Sequence, residues 1–319
     1  MEIKLSIIVA CYNIEKYIAD CLNSILPQLT EECELIVIND GSTDSSLQII
    51  REIRKMDNRC QCFSYHNGGL STARNRGFTH SKGQYLWFVD GDDFIADDAI
   101  KVLLSTIKYG DYDIIGFNHA DYTKEGVFPH KVFENQELNV MEYLSSNVPQ
   151  FAWNKIYRRH LLEKVTFVDG LRNIEDFVFN ISISPYVKSI RTMDNWLYAY
   201  NQLNESSISR CRSPRHLINL SNETFRAHNI LLDIIRQLRD NEMATFLMRL
   251  LTFSFVGHIF SLCRFYNYRS VNRAISIYRQ WGVFPFMYVG NYRCKVFTFV
   301  INNKLLRPMF YSIIKKLSK

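Results

Sequence analysis

The first two-thirds of this sequence predict an α/β fold on a largely parallel sheet, and three observations carry the prediction. Apolar strand patterns alternate with helix-spaced ones over the first 120 residues. Four of those strands in succession end in polar residues. The last third turns helical, basic and aromatic. Repeated β-α-β units imply parallel strands with helices on both faces. Ligands of such sheets bind outside the carboxyl ends of the strands.

The elements follow in order. Residues 5–12, "LSIIVACY", read as a buried strand. Tyr17, Ile18, Cys21, Leu22 and Ile25 then fall at helix spacing, ending near Pro27. "CELIVIND" (33–40) is a second strand, "DGSTD" a turn, and Asp44 a cap for the helix of "SSLQIIREIRKM". "CQCFSYH" (60–66) is a third strand and "LSTARNRGFTHSKG" a helix closed by Gly83. "QYLWFVD" (84–90) is a fourth strand, followed by a helix (97–108) and "YDIIGFN" (112–118). Beyond 120 the pattern loosens, with short strands expected at 127–133, 188–193 and 196–201 and a helix starting near "NIEDFVFN". After Pro214 helices are expected at 215–240, 242–266 and 270–280; 281–300 has no clear period, and an amphipathic helix begins near Pro308. Domains of 1–210 and 211–319 are expected.

Composition narrows the class. The chain has 319 residues, 47% hydrophobic and 22% charged, ordinary for a globular protein. The apolar N-terminal stretch lacks a basic leader and a small-residue cleavage pattern, so it reads as a strand. Eight cysteines include no CxxC pair and are expected to be reduced, in a cytoplasmic protein. The eight histidines show no HxxxH-type spacing, so no zinc site is expected. Neither GxxxxGK[ST] nor GxGxxG occurs, which argues against a P-loop or a dinucleotide fingerprint.

The strand ends concentrate the chemistry. Tyr12 and Asn13, Asn39 and Asp40, His66 and Asn67, and Asp90 to Asp93 would all reach one rim. "LWFVDGDDF" sets three carboxylates within four positions, Asp90, Asp92 and Asp93. Such neighbours repel unless a positive charge lies between them. They are either a solvated loop that caps the next helix or the ligands of a divalent ion at a strand end.

"SIIVACYN", "LIVINDGSTDSS", "NGGLSTARNRGFTHSKGQYLWFVDGDD", "WNKIYRRHLL" and "EDFVFN" occur in the order seen in family-2 glycosyltransferases, and the sequence resembles that family over residues 4–210. The resemblance is to the bacterial capsule and O-antigen branch. It implies a GT-A fold with a helical extension, and an inverting, metal-dependent enzyme using a nucleotide-sugar donor, with Mn²⁺ or Mg²⁺ as cofactor. Asp92 would ligate the metal, Asp90 the ribose or the metal, and Asp93 would support them. Tyr12 would stack on the base and Asp40 accept from a uracil N–H, which points to a UDP-sugar. Ala10 stands where the family often has a proline. Arg74 would approach the phosphates, while Asn75, Gly68 and Gly69 shape the backbone. Trp153 would either stack on a sugar or be a core aromatic. Asp176 would be the catalytic base and Glu175 would orient it. A sugar-1-phosphate nucleotidyltransferase would carry a Gly-rich, lysine-bearing loop after strand one, which "ACYNIEKYI" is not. A catalytically inactive membrane scaffold is the other alternative, and the carboxylates at 90, 92 and 176 argue against it.

Charge divides the chain. Residues 1–200 hold 20 Lys and Arg against 27 Asp and Glu, whereas 201–319 hold 18 against 5. No acidic residue follows Glu242, but twelve Lys or Arg and seventeen aromatics do. The longest uncharged run there, Leu250 to Cys263, is fourteen residues, short of the twenty or so that span a bilayer. No transmembrane segment is therefore expected. In "PMFYSIIKKLSK", Met309, Phe310, Ile313, Ile314 and Leu317 share one helical face beside lysines, as in a helix lying on an anionic membrane surface. The expected setting is the inner face of the plasma membrane, with a polyprenyl-diphosphate-linked saccharide as acceptor. No RNA-binding signature appears, and no nucleic-acid partner is expected.

Overall fold

The structure, a computed structural model, describes residues 2–146, 150–204 and 213–317. The chain divides into two compact units, Met1–His216 and Leu217–Lys319. The boundary expected at 210 lies outside the described residues.

Among the described residues the first unit is a mixed sheet of ten strands, with helices between them along the chain. It starts as β1 (Leu5–Cys11), α1 (Ile18–Ile25), β2 (Cys33–Asn39), α2 (Ser46–Met56), β3 (Cys60–Ser64), α3 (Leu70–His80) and β4 (Tyr85–Asp90). A two-residue β5 (Phe94–Ile95), α4 (Ala99–Tyr109), β6 (Ile114–Thr123), β7 (Gly126–His130), β8 (Gln136–Leu138) and α5 (Val140–Ser145) follow. The unit closes with β9 (Lys155–Arg158), α6 (Arg159–Lys164), α7 (Glu175–Ile183) and β10 (Ile190–Asn201). The strands lie in the order β3-β2-β1-β4-β9-β6-β10-β5, with β7 on β6 and β8 on β10.

The parallel half is the part the alternation predicts. β3, β2, β1 and β4 pair in parallel, and Cys11 lies opposite Asn39 while Ala10 lies opposite both Ile38 and Asp90. That register aligns four carboxyl ends on one rim. β1 and β2 are buried almost throughout, the mark of a strand covered on both faces. Ile18, Cys21, Leu22 and Ile25 of α1 are buried against that core at the spacing read from the sequence.

Beyond β4 the sheet becomes mixed. β9 runs antiparallel between β4 and β6. It comes from "KIYR", which the flanking helical pattern hides. The two strands expected at 188–193 and 196–201 are one, β10, parallel to β6 with register shifts on either side of Trp196. A bulge at this point lets a single strand look like two in the sequence.

In the second unit α8 (Pro214–Gln237), α9 (Asn241–Phe265), α10 (Tyr268–Gln280), α11 (Tyr292–Asn302) and α12 (Leu306–Leu317) form a helical bundle. α11 lies in the stretch without clear period, started by Asn291, whose side chain accepts from Cys294 N. Leu247, Leu251, Phe255, Ile259 and Leu262 bury one stripe of α9. This helix is 25 residues long, and half of its most apolar stretch is buried within the protein. By length and composition it could cross a membrane, a test that the buried core helix of a bundle also passes. Met309, Ile313 and Leu317 of α12 are exposed, while Phe310 packs on Phe297. Lys315 Nζ donates to the carbonyls of Arg264 and Tyr266 at the end of α9.

The bundle core is polar at one point. Tyr278 Oη lies 2.8 Å from His228 Nδ1 and 2.6 Å from His258 Nδ1. Ser254 and Ser221 hold the two Nε2 atoms at 2.8 and 3.0 Å. Burial pushes both imidazoles below their ordinary pKa, so they are neutral and the network closes without charge. Tyr278→Phe leaves two buried nitrogens without their partner. We expect a loss of about 1–3 kcal/mol for each, read as a lower urea midpoint; an unchanged midpoint would mean that water takes the hydroxyl's place.

Candidate active site

The rim of the parallel half carries the site, beginning at β1. Tyr12 follows the strand and is 49% exposed, free to meet a planar ligand. Asn13 adopts φ +53° and its Oδ1 accepts from Thr43 N at 2.7 Å. Ile14 N donates to Ser46 Oγ and Glu15 N to Asp44 Oδ2, which ties the loops after β1 and β2 together. Asp44 Oδ1 also accepts from Ser46 N, though the helix cap itself is Ser45. Ala10 receives Gly91 N on its carbonyl at 3.0 Å. A Cβ on Gly91 would come within 2.7 Å of that oxygen and 2.6 Å of Ile14 Cδ1, so only glycine lets the "DGDD" turn lie this close.

Asp40 is 2% exposed. Its carboxylate accepts from Gly68 N, from Gly69 N at 2.7 Å and from Arg76 Nη1 at 2.7 Å. Gly69 has φ +89°, which a side chain would disfavour. Asp40 therefore holds the "NGG" turn. A carboxylate offers about four lone-pair sites, so room remains for one further donor.

The acidic turn is held from far along the chain. Asp93 is buried, accepting from Tyr198 Oη at 2.6 Å and Asn201 N at 2.7 Å. Tyr198 Oη also accepts from Asp90 N. Asp92 Oδ2 accepts from Asn204 Nδ2 at 2.7 Å and its carbonyl from Asn201 Nδ2. Burial raises the pKa of Asp93 well above the ordinary value, with Asp92 and Asp90 adding to it. Asp90 is raised by burial too, and Arg74 pulls it back only in part.

Arg74 joins this turn to α7. The resemblance implies an arginine that approaches the phosphates; the structure buries its side chain. Nη2 reaches Asp90 Oδ1 at 2.9 Å and Nη1 reaches Asp176 Oδ1 at 2.5 Å, with Glu175 Oε1 at 3.8 Å. Its guanidinium lies 5.1 Å from the centre of the Phe167 ring. Burial works against its charge, but Asp176, Asp90 and Glu175 outweigh that and hold it protonated. Asp176 Oδ2 accepts from Ala152 N at 2.9 Å. Glu175 is buried, and its Oε2 takes no hydrogen bond among the described residues. Burial, with Asp176 beside it, raises the Glu175 pKa to about 8.

Asn75 fixes the approach of 167 to α3 through Nδ2 to Phe167 O and Phe167 N to Oδ1, a shaping role as expected. Trp153 requires a correction. It is 5% exposed and lies parallel to Phe151 at 4.6 Å and to Tyr198 at 4.5 Å, so it is core beneath the site and presents little face to a sugar. Sequence reasoning missed Lys155, buried beside Asn154 Oδ1 at 2.8 Å; burial lowers its pKa to about 7 although Asp176 opposes the shift. It also missed Tyr198, Asn201 and Asn204, whose only signal was their place at the end of a strand.

Hard oxygen donors suit Mg²⁺ or Mn²⁺, which take one or two protein carboxylates and leave the remaining positions to water and phosphate. Asp90 and Asp92 fit that demand. Beyond the bonds given above, Asp90 Oδ2 and Asp92 Oδ1 receive no hydrogen bond from the described residues.

Residues 6–166 match the sequence model of the family described as Glycosyl transferase family 2. The chain belongs to that family. Similar proteins include glycosyltransferase GlyA of Streptococcus pneumoniae serotype 4, 34% identical over 65% of this chain and 32% of GlyA. The uncharacterized glycosyltransferase EpsJ of Bacillus subtilis is 32% identical over 62% of this chain and 60% of EpsJ. The chain thus spans from about a third to three-fifths of these two relatives. Among solved structures, Staphylococcus aureus TarS 1–349 superposes with a TM-score of 0.66 at 19% identity, covering 97% of this chain and 92% of that one. That likeness supports the GT-A fold. The family match ends before Asp176, so α7 enters the site on geometry and on the "ED" motif.

Glu175 gives the site a pH signature. Its folded pKa lies above the ordinary carboxyl value of about 4.3, so the folded protein holds an extra proton between that value and about 8. Stability is full below that window and falls as pH rises through it. We expect Glu175→Gln to flatten that fall. Urea midpoints of metal-free protein from pH 5 to 8 should separate increasingly in the variant's favour, and parallel curves would exclude a buried neutral Glu175.

Proposed function

We propose that the protein is an inverting glycosyltransferase that moves a sugar from a UDP-sugar to a saccharide acceptor in surface-polymer synthesis. The observation that carries this reading is Arg74, whose two nitrogens hold Asp90 of the strand-end turn and Asp176 of α7. It sets a diphosphate-side carboxylate and an acceptor-side carboxylate at fixed separation. Family membership supports the reaction class. TarS, a poly(ribitol-phosphate) β-N-acetylglucosaminyltransferase solved with UDP-GlcNAc, supports the donor class.

The residues divide the work. Tyr12 stacks on the base, and Asp40 takes the base N–H while holding the glycine turn. Asp92 and Asp90 hold the divalent cation, which when bound offsets the charge that gathers on the departing diphosphate. Asp176 keeps lone pairs beyond those used by Arg74 and Ala152 N. It takes the acceptor hydroxyl proton as the new bond to the anomeric carbon forms and the bond to the diphosphate breaks. Attack opposite the leaving group inverts the anomeric centre.

Asp176→Asn removes basicity and keeps shape, so donor binding should survive while transfer falls about 10²–10⁴-fold. Asp92→Ala should abolish transfer and the metal dependence of UDP binding. Calorimetry with UDP and Mn²⁺ and NMR of a model product test these. Retained anomeric configuration, or unchanged metal-dependent UDP affinity in Asp92→Ala, would refute the mechanism.

We further propose that the helical unit rests on the anionic inner face of the plasma membrane, bringing a lipid-linked acceptor within reach. Met309, Ile313 and Leu317 are exposed beside the exposed Lys316. Each basic residue near such a surface contributes about 1 kcal/mol. Lys316→Glu should weaken binding to anionic liposomes several-fold, and added salt should do the same. Lys315 is unsuitable for this test because it caps α9. Equal binding to neutral and anionic vesicles would refute the electrostatic part.

A further inference from the structure

The β6–β7 hairpin gathers donors that spacing along the chain conceals. His119 and Asp121 are two residues apart on β6 and so share a face. The hairpin register sets His130 of β7 directly opposite His119. One donor atom from each of the three side chains lies within 4.8 Å of the other two. His130 Nε2 is 2.8 Å from Asp121 Oδ2, and the two imidazole rings stack at 5.0 Å and 26°. His119 is nine-tenths buried, with its ring edge-to-face on Trp153 at 5.0 Å, and its buried Nδ1 has no hydrogen bond among the described residues.

We propose that His119, Asp121 and His130 form a binding site for an imidazole-preferring divalent cation of the zinc class. It is a different kind of site from the one at Asp90 and Asp92. Two imidazoles and one carboxylate suit zinc, nickel or copper, whereas carboxylate and phosphate oxygens suit magnesium or manganese. Three protein ligands leave a fourth position for water or a ligand.

The geometry is within reach. Tetrahedral ligands at about 2.0–2.1 Å from zinc stand about 3.3 Å apart. The His130–Asp121 gap has to open by about 0.5 Å, and the widest gap has to close by about 1.5 Å. His130 and Asp121 are partly exposed, so their side chains can turn and the ion has an entry path. An ordinary ion pair between these two would explain their contact. It would leave the buried nitrogen of His119 unexplained, and such groups are rare in folded proteins.

The test uses the full chain, stripped by chelator and then held in excess Mg²⁺. Zinc titrated by calorimetry should bind at one ion per chain, and Co²⁺ in its place should show visible d–d absorption. His130→Ala and Asp121→Asn, both at partly exposed positions, should weaken zinc by at least about 10–100-fold, the range that loss of a supporting group alone produces. Asp92→Asn should leave zinc binding unchanged, and far-UV circular dichroism checks folding of each variant. The proposal fails if His130→Ala binds zinc as the wild type does, if Asp92→Asn abolishes binding, or if the wild type takes up no zinc.

Discussion

The geometry of the candidate site depends on one buried guanidinium. Arg74 is fixed by α3 and reaches forward to Asp90 and sideways to Asp176. Removing one partner from such a buried set costs about 3–5 kcal/mol, because the charges left behind lose their counter-ion. A lysine could not replace it, since a single ammonium lacks the planar fork that spans two carboxylates. The acidic turn and the start of α7 are thereby held at one separation even though Asp90 and Asp176 are 86 positions apart in the sequence.

Much of the fold was legible because its parallel half obeys local rules. Continuous apolar runs gave β1, β2 and β4, and helix spacing gave α1 with the same buried residues that the structure shows. The carboxyl-end rule then collected Tyr12, Asp40 and Asp90 on one rim. Local rules failed where neighbours in space decide. β9 is four residues long and is a strand because β4 and β6 flank it. Trp153 has a sugar-binding residue's chemistry but a core residue's surroundings.

Arg74 shows the same limit at the level of one side chain. Its sequence neighbours are those of a surface helix, "TARNRG". Nothing local says that Asp176 will arrive over it. His119, Asp121 and His130 escaped notice for a related reason, since a strand places ligands at a spacing of two and across a turn, where no helical motif looks. In the second unit the strong basic excess was plain, yet the neutral Tyr278 and histidine network that orders its core was not.

The hydrogen bonds around "DGDD" carry a consequence for biosynthesis. Tyr198, Asn201 and Asn204 reach Asp93 and Asp92 across 105 to 112 positions of sequence. At the usual pace of translation, about 5–20 residues per second, those partners are made roughly 5–20 s after the acidic turn. Through that interval the first four strands can already pair, while the turn they carry still lacks its anchors. A nascent chain stopped before residue 198 would thus hold much of the parallel sheet and an unorganised acidic loop. The competence of the site is in this sense the last property the first unit acquires.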